Sequence, residues 1–126
     1  MLRFWQLGNP ISVEAATDLP AGHVIDLAAL GYPSEIGSGV STSPAEAGEL
    51  QAYQIGGIFV HEGQYDDGTD VAAFAADTAV SWDPATSTIV ETAGAPAGSI
   101  PLGKSVGANL AGEEVKILLN GRPLNA

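Results

Sequence analysis

The sequence predicts a mostly β fold, a small β-barrel or β-sandwich of about eight or nine short strands with a worn internal duplication and little helix. Three observations predict it. Short runs rich in Val, Ile and Leu recur at intervals of about ten residues. Sixteen Gly and eight Pro punctuate them, leaving no stretch long enough for a regular helix. A pattern also occurs twice. Pro101 to Gly121, PLGKSVGANLAGEEVKILLNG, repeats Glu35 to Gly57, EIGSGVSTSPAEAGELQAYQIGG. Ile36-Gly37 falls on Leu102-Gly103, Val40 on Val106, Ala47-Gly48-Glu49 on Ala111-Gly112-Glu113, and Gly56 on Asn120, with a two-residue gap between the second and third matches. HVIDL at His23 to Leu27 and AVSWD at Ala79 to Asp83 precede the two copies. A shared unit of this kind implies two similar half-sheets that pair or close on one another.

Each element has a local reason. Leu2 to Leu7 is a short aromatic-bearing arm, closed by Gly8-Asn9-Pro10. Residues 1–9 are therefore set apart from one β domain over 10–121, and 122–126 form a C-terminal tail. Ile11 to Glu14 alternates apolar and polar residues and reads as a strand. Thr17 to Gly22 is a turn, and His23 to Leu27 resumes as a strand. Gly31 and Pro33 break any helix in Ala28 to Ser34, a stretch that reads as an insertion. The first repeat gives a strand near Ile36 to Ser41, a turn through Ser43 to Gly48 and a strand from Glu49 to Ile55. Gly56-Gly57 permits a bend. Ile58-Phe59-Val60-His61 has the strongest β-propensity in the chain. Glu62 to Asp70 is an exposed acidic loop, and Val71 to Asp77 is expected to form one helical turn capped by Thr69 or Asp70. Thr78 to Trp82 and Thr88 to Thr92 flank Asp83-Pro84-Ala85-Thr86-Ser87 as a hairpin. Ala93 to Gly98 turns the chain into the second repeat.

At 126 residues the chain fits one domain that buries roughly two-thirds of its unfolded surface. Apolar residues make up 45%, but aromatics only 6%, so the core is thin and rests on Val, Ile and Leu. Four Lys plus Arg stand against fifteen Asp plus Glu, a net charge of −11. That balance argues against nucleic acid, whose phosphates require facing cations, and against anionic membrane surfaces. There is no Cys, so neither disulfide nor thiolate chemistry is available. The first ten residues do not read as a signal peptide, and no segment has the length of an apolar span. The expectation is a soluble protein used without export.

Chemistry-bearing residues are few. Asp66, Asp67 and Asp70 could offer oxygens to calcium, but Gly68 and Val71 break the EF-hand pattern and a solvated loop is expected. His23 and His61, with Glu62, fall short of a zinc ligand set and are expected as packed or half-exposed side chains. No serine sits in a nucleophile elbow, and Gly37-Ser38-Gly39 lacks the rest of a dinucleotide fingerprint. No catalytic, metal or cofactor site is therefore assigned. Trp82 alternates with Val80 and is read as a core residue, with a ligand platform as the other option. The arm is different. Arg3, Phe4, Trp5 and Leu7 concentrate a cation and large apolar groups of the kind enriched at interface anchors. They are read either as a contact to another chain or as a strand packed on the chain's own barrel.

LPAGHVIDL, IGSGV, AGELQAYQIGGIFV, AVSWDPATSTIVET, IPLGKSV and AGEEVKILLNG, in this order, resemble the small capsid decoration, or cement, proteins of tailed bacteriophages. The likeness spans roughly Gln6 to Gly121 and rests on the order of the motifs, since each alone is mostly turn chemistry. It departs at Ala28 to Ser34, at the longer acidic loop and at Val40-Ser41 and Val106-Gly107. The resemblance implies a compact β domain, often trimeric, on the outer face of a phage head. Its partner would be the major capsid protein, and its location the virion after assembly in the host cytoplasm. It implies no catalytic residue and no cofactor. Two rivals are a carbohydrate- or ligand-binding β module displayed on the virion, for which Trp82 would be exposed, and a metal-assisted enzyme built on the acidic loop.

Overall fold

A computed structural model of the chain describes residues 11–33, 36–65 and 67–121. Nine strands form two antiparallel sheets. The first contains β1 (Ile11–Glu14), β2 (Val24–Asp26), β3 (Ser38–Ser41) and β4 (Leu50–Gln54) in the order β1-β4-β3-β2. The second contains β5 (Ile58–His61), β6 (Ala79–Asp83), β7 (Thr88–Glu91), β8 (Ile100–Ser105) and β9 (Val115–Leu119) in the order β5-β9-β8-β6-β7. The only helix among the described residues is a 3-10 turn, Leu27–Leu30. Asp26 caps it by accepting the Ala28 N–H, and Gly31 ends it in the left-handed region. The mostly β prediction holds, with strands where the sequence placed them.

The duplication is visible in the topology. β1, β4, β3 and β2 correspond to β5, β9, β8 and β6, in the same spatial order, and β7 is an added strand of the second unit. The hydrogen bonds repeat as well. The Ser41 hydroxyl accepts the His23 N–H at 2.9 Å and donates to the Pro20 carbonyl at 3.3 Å. The Ser105 hydroxyl accepts the Thr78 N–H at 3.0 Å and donates to the Ala75 carbonyl at 2.7 Å. Each serine is buried at the end of its strand. Isolated bridges follow at Leu19–Ala45 and Phe74–Asn109.

These matches correct the register read from the sequence. Ser41 falls on Ser105, so Val40 falls on Lys104 and not on Val106. Ser38-Gly39, not Ile36-Gly37, falls on Leu102-Gly103. No gap is needed, because the two turns from serine to Ala-Gly-Glu have equal length. The apolar-Gly likeness at Ile36 was local. Gly103 has its own constraint: it lies beside the β6–β8 bulge at Val80/Ser81, and a Cβ there would collide with the Leu118 carbonyl.

The helical turn expected at Val71 to Asp77 is not formed. The segment runs extended across the second repeat's turn, as Ala15 to Gly22 does across the first. The Val71 carbonyl accepts from Gly112 N–H at 2.9 Å and the Phe74 carbonyl from Asn109 N–H at 3.1 Å. Val71 and Phe74 are buried in the core, so tertiary pairing overrides a weak local helix signal. Of the two expected caps, Asp70 is engaged elsewhere: its carboxylate accepts from the Gln64 side-chain amide.

The main core lies between the sheets and is built by Val40, Val71, Phe74, Val80, Ile89, Leu102, Val115, Ile117 and Leu119. Ile11, Leu27 and Ile55 make a smaller second cluster under the 3-10 turn.

Candidate attachment surfaces

Arg3, Phe4, Trp5 and Leu7, the residues singled out for attachment, lie outside the described residues. Asp66, one of the three carboxylates considered for calcium, lies outside them too. Among the described residues that the sequence raised, Asp67, Asp70, His23, His61 and Trp82 fall on one loop and around one groove.

The acidic loop faces solvent: Glu62, Asp67 and Asp70 are exposed. Asp67 accepts the Thr69 N–H at 2.9 Å, and hydrogen bonds from Thr69 hold its carboxyl below the usual range. Tyr65 anchors the loop to β7. Its hydroxyl accepts the Ile89 N–H at 2.8 Å, and burial raises its pKa. Among the described residues no three His, Asp or Glu side chains gather as a metal ligand set.

Trp82 is only partly buried. It packs against the main core with one part of its ring and lines a groove with the rest. The groove is lined by residues of both sheets. Its floor is apolar, with Val24, Val40, Phe59 and Leu102. An adjoining depression shares Val24, His61 and Trp82 with it and is lined further by the polar Gln64, Asp67, Thr86 and Ser87. The His61 ring lies 4.8 Å from that of Tyr65 and 6.3 Å from that of Trp82. Its Nδ1 donates to the Glu62 carbonyl at 2.6 Å. Trp82 thus combines the core role and the exposed face that the sequence set against each other.

His23, which lines the same depression, belongs to a buried chain of polar groups. The Gln51 amide nitrogen donates to the Pro20 and Ser43 carbonyls, which fixes its orientation. Its oxygen accepts the Tyr53 hydroxyl proton at 2.7 Å. His23 Nδ1, 2.8 Å from the Tyr53 oxygen, is therefore the donor of that contact. Burial lowers the His23 pKa and raises that of Tyr53. This network holds the turn before β2 onto β4.

Sequence reasoning missed the apolar surface. Ile58 and Val60, in the most β-prone run of the chain, are 58% and 52% exposed. Their burial depends on sheet order, which the strand's own sequence does not carry.

Fold and surfaces define a duplicated, two-sheet β module with few chemistry-bearing groups. It belongs to the phage cement protein family, whose model matches residues 5–120. No curated protein and no solved structure matches the chain.

Proposed function

We propose that the chain is a capsid cement protein that binds the outer surface of the assembled phage head, against the major capsid protein, and stabilises the shell. The observation that carries this reading is the family match over nearly the whole chain. A protein that binds only the assembled shell stabilises it by linkage, and many modest contacts repeated by the shell's symmetry sum to a large effect. The acidic surface, with a net charge of −11, suits a protein that must avoid nucleic acid during assembly in the host cytoplasm. The N-terminal arm, through Arg3, Phe4, Trp5 and Leu7, supplies one attachment, and the protein acts as a homo-oligomer, with a trimer favoured. The role is structural, without catalysis or cofactor. The test is sedimentation of purified protein with emptied, expanded shells of the encoding phage, followed by heating. Co-sedimentation and a higher disruption temperature are expected; protein left in the supernatant would reject the reading.

One observation favours a second reading, in which the module binds a carbohydrate. Trp82 lines a groove whose adjoining depression is polar, the arrangement by which sugars are stacked and hydrogen-bonded. Titration with host surface polysaccharide, followed by tryptophan emission in the unaltered chain and in Trp82→Phe, separates the two. A saturable change lost in the variant would support it.

A further inference from the structure

We propose that Asn120-Gly121 is a site of self-modification. The contact of Asn120 with Ser38 and Ile55 holds it unreactive, and its conversion to a carboxylate releases the two repeat units from each other for good. The proposal goes beyond the cement reading and does not depend on it.

The reaction needs only water. The main-chain nitrogen of Gly121 loses its proton to solvent and attacks Asn120 Cγ. A cyclic imide forms, and Nδ2 takes up a proton and leaves as ammonia. Water then opens the imide at one carbonyl or the other, giving aspartate or its β-linked isomer. No oxidant or reductant enters. Asparagine is thermolabile by this route. It is most so before glycine, which has no side chain to crowd the attacking nitrogen. The chain has four asparagines. Asn9 precedes Pro10, whose nitrogen carries no proton, Asn109 precedes Leu110, and Asn125 precedes Ala126. Asn120 alone precedes glycine.

The fold sets this pair at the joint between the units and engages every group that the reaction uses. Nδ2, the leaving nitrogen, donates to the Ser38 and Ile55 carbonyls. Oδ1 accepts the Ser38 N–H and hydroxyl. The attacking nitrogen directs its own N–H to the Leu118 carbonyl at 3.2 Å. Ser38 and Ile55 are buried, whereas Gly121 is exposed and a Cβ on it would meet nothing. Solvent therefore reaches the nucleophile while the amide faces inward. Conversion waits for the joint to open, and its rate follows the fraction of time that the amide is free.

The product cannot close the joint again. In aspartate an oxygen replaces Nδ2 and faces two carbonyl oxygens with no proton between them. Two hydrogen bonds are lost, and a charge is set against buried acceptors. In the isomer the main chain runs on through Cβ and Cγ, so the group that met Ser38 becomes part of the peptide. Each prolonged opening is thus recorded, and an opened chain is retired.

The experiment uses the full chain, incubated warm at mildly alkaline pH in buffer and, in parallel, in urea that unfolds it. Mass spectrometry with fragmentation reads the gain in mass at Asn120, with Asn109 as the reference in the same sample. Conversion of Asn120 in buffer is expected to be at least about tenfold slower than in urea. Gly37→Ala, whose Cβ would meet the Asn120 amide, is expected to speed conversion in buffer at least about threefold. Asn120→Asp, the product made directly, is expected to melt at least about 5 °C below the unaltered chain. Equal rates in buffer and in urea overturn the protection, as does an unchanged rate in folded Gly37→Ala. If Gly37→Ala does not fold, the ratio between buffer and urea decides. Absence of conversion in urea overturns the site itself. Asn120→Asp melting with the unaltered chain overturns the release.

Discussion

Asn120 and Ser38, the last turn of the second repeat and the first residue of β3, are joined by three hydrogen bonds. Asn120 Oδ1 accepts the Ser38 N–H at 3.0 Å and the Ser38 hydroxyl at 3.3 Å. Its Nδ2 donates to the Ser38 carbonyl at 2.8 Å and also to the Ile55 carbonyl at 3.0 Å. One amide therefore holds four groups on two residues of the first unit, Ser38 and Ile55, from the end of the second. Its partner position in the first repeat is Gly56, which carries no side chain to do this. The duplication was thus completed by one asymmetric residue. Gly37 makes room for it, since a Cβ there would meet the Asn120 amide.

Asn120→Gly should lower stability by about 3 kcal/mol, because it leaves the Ser38 and Ile55 main-chain groups unpaired in a buried place. Glycine keeps the positive φ of 54° without strain, so the loss reports the amide and not the backbone. Thermal unfolding should show a fall of roughly 10 °C. A change below about 2 °C would mean that the two units hold together without this contact.

Gly37→Ala should be destabilising for two reasons at once, a φ of +87° and the occupied space. The pair Gly37→Ala with Asn120→Gly should cost less than the sum of the single changes, since the second removes the obstruction met by the first. Strict additivity in denaturant unfolding would contradict the steric account.

His23 should make stability depend on pH. Burial lowers its folded-state pKa below 6.5, so between the two values the unfolded chain binds more protons. Stability is then full above 6.5 and is lost as pH falls through that value toward the lowered one. Protonation charges a side chain that already donates its Nδ1 proton to Tyr53. Carboxylate repulsion, which eases in acid, acts in the opposite direction, so the comparison must be with His23→Gln. Between about pH 7.5 and about pH 5 the variant should lose less melting temperature than the unaltered chain. Parallel curves would remove His23 from the account.

Much of this fold was legible, for identifiable reasons. Ile58 to His61 and Val80 to Asp83 were readable because β-branched and aromatic residues stand between turn residues. The repeat was readable because Ala-Gly-Glu recurs at a tight turn. Its register was not, because the equivalence of Ser41 and Ser105 lies in their hydrogen bonds. Val71 to Asp77 misled because its buried residues face a turn more than thirty positions away, at Asn109 and Gly112. The exposure of Val60 was hidden for a related reason: which strands lie at the margin of a sheet is decided by the whole chain.

Asp67→Asn should leave the fold nearly unaltered. The carboxylate is exposed, and its bonds stay within the loop's own turn at Thr69. The melting temperature should move by no more than about 2 °C, as for other surface changes. Added calcium should have no effect on either chain. A large loss, or one that calcium reverses, would reveal a metal site in the loop.

Deletion of residues 2 to 7 tests the arm. Phe4 and Trp5 concentrate apolar area, and burying one such side chain against a partner contributes about 1.5–3 kcal/mol. Arg3 is one of only four cations in the chain, and it lies in a stretch without an acidic residue. The smaller core cluster begins at Ile11, directly after this stretch, so the arm and the β domain are separable in the sequence. The truncated protein should keep its circular dichroism spectrum and co-sediment with emptied shells far less than the intact chain. If it folds and binds equally well, the arm is not the tether. If it fails to fold, the arm is a strand of the domain itself. The remaining combination, reduced binding by a folded chain that keeps its oligomeric state, is the one that assigns Arg3, Phe4, Trp5 and Leu7 to the capsid and not to a neighbouring copy.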